Sequence, residues 1–221
     1  MFDVQSYLAR LTALLREAYG ERLVYVGLQG SYLRGEATEE SDIDVMAVVD
    51  DLSQSDLDAY RRAIYSLEEP EKSCGFIASR ADLMHWNPLE IAHLAHTTRD
   101  YYGTLSALLP AYTESDVRNF VRVSVGNLYH ELCHRYIHSG RERSAERLPG
   151  VYKGVFYILQ NLYFLQSGEF APIRAALLAR LSGQDHAVLE RAMALHRGEE
   201  FDFDESFNRL FTWCQETLAS L

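Results

Sequence analysis

Gly30, Ser31, Asp42 and Asp44 are the residues whose types and spacing point most directly to chemistry. Gly30-Ser31 follows an apolar run, Leu23-Val24-Tyr25-Val26-Gly27-Leu28, that reads as a buried strand. Asp42-Ile43-Asp44-Val45 opens a second such run. Side chains on a strand alternate faces, so the two carboxylates emerge together while Ile43 and Val45 turn to the core. Carboxylates side by side repel unless positive charge stands between them. A divalent cation carrying nucleotide phosphates meets that need, because hard cations prefer oxygen donors. A glycine turn, one short helical turn and a polar loop join the two strands.

Other elements must hold this stretch in place. Residues 3–19 put Val4, Leu8, Leu11, Leu15 and Ala18 on one helical face, and Gly20 ends that helix. After Asp50-Asp51, Ser53 or Ser55 caps a helix to about Leu67. Cys74-Gly75-Phe76-Ile77-Ala78 reads as a third strand, and Pro88 opens a helix that runs to His96. Tyr101 to Leu109 is expected to be helical, with Pro110 as its stop.

Strand signals end at Thr113. Ser115 is expected to cap a long helix to His138, with Val117, Phe120, Val121, Val125, Leu128, Leu132 and Ile137 recurring at helical spacing. The stretch 139–150, with Arg141, Arg143 and Arg147, reads as a solvated, charged loop. An aromatic helix over 151–166 follows, closed by Ser167-Gly168, with further helices over 171–181, 186–196 and 205–218. The pattern divides the chain into a mixed α/β domain, 1–110, and an all-helical domain, 111–221. Without a Gly/Ser linker the halves are expected to pack tightly.

The 221 residues carry 32 acids against 21 bases, a formal charge of -11, which disfavours a partner such as long nucleic acid. The local arginines of 141–147 leave a tRNA acceptor open. Three widely spaced cysteines suggest neither a disulfide framework nor a zinc knuckle. No apolar run approaches a membrane span and the N-terminus lacks a signal pattern, so a cytoplasmic, soluble protein is expected.

Gly30-Ser31, Arg34-Gly35 and Ser41-Asp42-Ile43-Asp44 together resemble the nucleotidyltransferase signature of the DNA polymerase β superfamily. The likeness is to its small bacterial members and to the aminoglycoside nucleotidyltransferases. It implies an α+β fold, a nucleotidyltransferase-type mixed sheet flanked by helices, followed by an all-α bundle. It also implies attack on the α-phosphorus of a nucleoside triphosphate, ATP above all, with release of pyrophosphate. Asp42 and Asp44 would then be the catalytic acids and the ligands of one or two Mg²⁺ ions. Gly30, Ser31, Arg34 and Ser41 would bind the nucleotide. Relatives also bring a lysine from the helical half to the triphosphate, which points to Lys153. The acceptor would be a hydroxyl of a small molecule or protein, held between the halves.

Active relatives carry a third carboxylate on the next strand. Here Cys74-Gly75-Phe76-Ile77 has none; Glu71 precedes it, Asp82 follows it, and Glu131 of the helical half is a further candidate. The alternative to an enzyme is therefore a weak or inactive nucleotidyltransferase-like regulator of antitoxin type. Helical domains of this kind include RNases with Arg-x4–6-His, a spacing not found here. A more distant alternative rests on His130-Glu131-Leu132-Cys133-His134, which matches the H-E-x-x-H of zinc proteases, with His138 extending the stripe. His93 and His96 are expected to pack or hydrogen-bond.

Overall fold

The computed structural model describes residues 2–221. The chain divides between Tyr112 and Thr113 into two compact units.

The first unit is built on a four-stranded mixed sheet in the order β3-β2-β1-β4. Helix α1, Val4–Tyr19, leads to β1, Leu23–Leu28. The Asp3 carboxylate accepts from the backbone N–H groups of Gln5 and Ser6, which fixes where α1 begins. A single-turn helix α2, Gly30–Arg34, connects to β2, Ile43–Val49. Strands β1 and β2 are antiparallel, with Leu28 opposite Val45. Helix α3, Gln54–Tyr65, starts at Ser53, whose hydroxyl pairs with Asp56 in a capping box. It returns the chain to β3, Ser73–Ser79, which lies parallel to β2.

Alternation along β2 separates two apolar layers. Ile43, Val45, Ala47 and Val49 join Leu8, Leu11 and Leu15 of α1 in one core. Met46 and Val48 turn to the opposite face, with Tyr25, Ala78, Leu83 and Leu105. Asp44 is in phase with Met46, so the acid comes off the second face while the residues beside it anchor the strand.

Short helices α4, Arg80–Met84, and α5, Pro88–Thr97, follow. The helix expected over 101–109 is absent. Arg99–Tyr102 is instead strand β4, antiparallel to β1 with Val26 opposite Tyr102, and only Leu105–Ala107 coils. Pairing with β1 overrides local helical spacing. Tyr25 donates its hydroxyl to Asp100 at 2.9 Å, and Gly103, at φ 76°, passes so close to the Val24 carbonyl that a Cβ would meet it at 2.2 Å.

The second unit is helical throughout its named elements: α6, Glu114–His138; α7, Arg141–Tyr152; α8, Val155–Ser167; α9, Arg174–Leu178; α10, Gly183–His196; α11, Phe203–Ser220. Val121, Val125, Leu128 and Leu132 of α6 pack on Phe156 and Leu159 of α8 and on Leu210 and Trp213 of α11. Three expectations change here. The aromatic helix starts at Val155 and not at 151, because Val151 and Tyr152 complete the buried face of α7. Thr113, not Ser115, caps α6, because its hydroxyl and the Asp116 carboxylate exchange hydrogen bonds with each other's backbone N–H. The charged stretch 139–150 is not a loop: Ser144, Leu148, Val151 and Tyr152 are buried at helical spacing along α7, and the arginines occupy its outer face. Among the described residues no helix is long and apolar enough to cross a membrane.

Candidate functional site

Gly30 and Asp44 meet at the first unit's site. Gly30 has φ 66°, a left-handed conformation costly to any residue with a side chain. A Cβ there would fall 1.8 Å from Oδ2 of Asp44. The turn therefore has to be glycine on two counts, backbone and space. Gln29 donates its backbone N–H to the Asp44 carbonyl at 2.8 Å, fastening the turn to β2. From the other side the Gln29 amide donates to Thr98 Oγ1 at 2.7 Å, and Arg99 donates to the Leu33 carbonyl at 3.1 Å. The end of α5 and the start of β4 thus brace this turn. Sequence reasoning missed those residues because the pairing of β4 with β1 is non-local.

Asp42 is exposed just ahead of β2, and Asp44 is half-buried within it. Burial raises the Asp44 carboxyl above its ordinary range; a hydrogen bond from the Cys74 thiol lowers it, Asp42's charge raises it, and Arg34's charge lowers it. The two carboxylates share one electrostatic site, as their alternation requires. Cys74 lies directly beside Asp44 in the parallel register. Its own thiol is pushed up, first by burial and then by the acids. The third strand therefore brings a thiol to the place where an acid was sought. Glu71 sits in the turn before β3, and Asp82 is consumed by a capping box with Ser79 at the far end.

Arg34 is not a free cation. Its guanidinium meets Glu36 at 2.9 Å, with both side chains largely covered. Ser31 occupies the second position of α2, and its carbonyl accepts from Glu36 N–H at 2.9 Å. Ser41 closes a local turn: its hydroxyl accepts from the Thr38 N–H at 2.9 Å and its own N–H donates to the Thr38 carbonyl at 3.1 Å. Lys72 steadies the same loop by donating to the Glu39 carbonyl at 2.6 Å.

On α5, burial lowers His93 to about 4, helped by the charges of His96 and Arg34, so the ring is neutral at physiological pH. His96 shares a hydrogen bond with the Tyr112 hydroxyl at 2.9 Å. His93 is thus a packed ring and His96 a hydrogen-bonded one.

Among the described residues, no three His, Cys, Asp or Glu side chains form a ready-made metal cage. Asp42 and Asp44 nonetheless fit a divalent ion that brings further oxygen ligands on a triphosphate. They are two hard donors at one strand end, and the Asp44 charge is disfavoured until something positive joins it. Asp44 Oδ2 itself occupies the space a Cβ at position 30 would fill, so the carboxylate lies directly against the turn.

In the second unit, Lys153 is exposed at the C-terminal end of α7. It borders a cavity of about 240 Å³ with Tyr152, Phe156, Arg174, Met193 and His196. Glu131 is bound by Arg135 through Nε at 2.8 Å and Nη2 at 2.7 Å, so it is not poised as a base.

The nucleotidyltransferase domain family model matches residues 10–78, from within α1 to the end of β3. A Methanocaldococcus jannaschii protein, provisionally named a protein adenylyltransferase, is 34% identical over 67 residues. That match spans 30% of this chain and 65% of the relative's length. The spectinomycin adenyltransferase AAD(9) of Enterococcus faecialis, solved with ATP and spectinomycin, superposes with a TM-score of 0.61. It covers 97% of this chain and 99% of its own, at 15% identity, so the likeness is one of fold.

Proposed function

Since the chain carries a nucleotidyltransferase domain with a helical C-terminal region, we propose that it transfers AMP from ATP to a hydroxyl of a small molecule or protein. The observation that carries this reading is the apposition of Gly30 to Asp44, with Asp42 beside it. The turn offers the backbone N–H groups and hydroxyl of Gly30-Ser31 to phosphate oxygens at close range. Asp42 and Asp44 would hold Mg²⁺, which when bound neutralises charge on the triphosphate. Arg34, tied to Glu36, tunes Asp44 more than it meets phosphate, and Ser41 shapes the loop that delivers Asp42. Lys153 is the helical unit's candidate for the triphosphate. In the reaction the acceptor oxygen bonds to the α-phosphorus as the bond to the departing pyrophosphate breaks, and the hydroxyl proton leaves to water.

Cys74 favours a second reading. The thiol beside Asp44 is a poorer general base at neutral pH than a carboxylate, because a thiol ordinarily holds its proton there, and desolvation and then the neighbouring acids raise it further. A protein that binds the metal–nucleotide and turns it over slowly, or uses it as a regulatory signal, fits the same geometry.

Incubation with α-labelled ATP, Mg²⁺ and a panel of hydroxylated small molecules and proteins separates the two. Labelled acceptor with matching pyrophosphate supports transfer. No labelled product across the panel, with nucleotide binding intact, overturns transfer and leaves the regulatory reading.

A further inference from the structure

Helix α6 presents His130, His134 and His138 along one exposed stripe. The ring centroids of His134 and His138 are 4.7 Å apart, and those of His130 and His134 are 5.9 Å apart. We propose that His134 and His138 chelate one divalent transition-metal ion of the zinc, nickel or copper class, with His130 outside the chelate.

The geometry carries this in three ways. Residues four apart on a helix project side by side, so two imidazoles can share one ion without backbone movement. The backbone is set in advance: Val125, Leu128 and Leu132 bury the opposite side of α6 in the helical core. Pre-organisation removes much of the ordering cost that weakens chelation by a loop. Finally, His138 is the last residue of α6, where the helix dipole presents partial negative charge. A cation is favoured at the His134–His138 end over the His130 end, which agrees with the shorter ring separation there.

Imidazole donors select transition metals and pass over Mg²⁺. The site is therefore chemically distinct from the two carboxylates of the first unit. It is also not a protease centre. The Arg135 guanidinium occupies Glu131, the residue that H-E-x-x-H would use as base. Two nitrogens and water complete a binding site, not a cage, consistent with no three-donor cluster among the described residues.

Calorimetric titration of the tag-free full chain with Zn²⁺, Ni²⁺, Cu²⁺ and Mg²⁺ tests this. Titration in the Asp44→Ala background removes the other candidate metal site. One equivalent of transition metal is expected, tightest for Cu²⁺, with no heat from Mg²⁺ in that background. His134→Ala and His138→Ala should each weaken binding by at least the amount that loss of an outer partner does, about 10–100-fold. His130→Ala should leave it nearly unchanged. Circular dichroism of each variant confirms that α6 remains folded. Absence of transition-metal binding to the folded Asp44→Ala chain, or binding indifferent to His134→Ala, overturns the proposal.

Discussion

Asp44 on β2 and Cys74 on β3 are direct partners in the parallel pairing, so the thiol and the carboxylate lie side by side and each shifts the other's titration. A side chain at position 74 therefore addresses the same space as the acid. Cys74→Asp places a third carboxylate there. Without metal it adds repulsion and lowers the melting temperature. With Mg²⁺ and ATP it tightens binding by about tenfold, since affinity for hard cations rises with ligand charge. Calorimetric affinity and thermal shift, each with and without metal–nucleotide, check both signs.

Asp44 itself predicts a trade of stability for function. Its folded-state carboxyl titrates above the ordinary 3.8, chiefly because of burial. The folded state then binds the proton more tightly than the unfolded chain does. The penalty is absent below the ordinary range and fully present above the folded value. Asp44→Asn should therefore melt higher than the natural chain at neutral pH and lose that advantage in acid. Melting curves from pH 3 to 8 measure it.

Asp56 has the opposite sign. Arg22 at 2.6 Å, then Ser53, hold its carboxyl well below the usual range. The stability it confers is present above about 3.8 and is lost as the pH falls through its folded value. Asp56→Asn weakens the α3 cap and the Arg22 ion pair together. It should lower the melting temperature at neutral pH and converge with the natural chain in strong acid.

Gly30→Ala tests the turn. A left-handed backbone costs a residue with a Cβ roughly 1–2 kcal/mol, and the new methyl would fall 1.8 Å from Asp44 Oδ2. Denaturant titration should show a loss of that order. Nucleotide binding should fall further than stability, because Asp44 must move. Binding that survives with the stability loss would place the phosphate elsewhere.

Local pattern made much of this fold legible. The alternation of Asp42 to Val45, the short helical turn at Gly30 and the apolar run of β3 could be read directly, as could the spacing along α6. What stayed hidden depended on distant partners. β4 exists because β1 has a free edge, and Tyr25 reaches across to Asp100. Helix α7 lay concealed under a run of charges whose buried members, Ser144, Leu148, Val151 and Tyr152, recur at helical spacing. The register that sets Cys74 against Asp44 is a parallel pairing across a whole helical crossover, which no local spacing encodes. Arg34 and Ser41 were read as ligands from their place in a motif, but each has a partner within its own loop, Glu36 and Thr38.

The most direct test is the binding of ATP measured by calorimetry with and without Mg²⁺, in the natural chain and in Asp42→Ala and Asp44→Ala. Saturable binding that requires Mg²⁺ and is lost in both folded variants is the expected result. Binding of equal strength in the variants, or no binding by the natural chain, would contradict a metal–nucleotide site built on Gly30, Asp42 and Asp44.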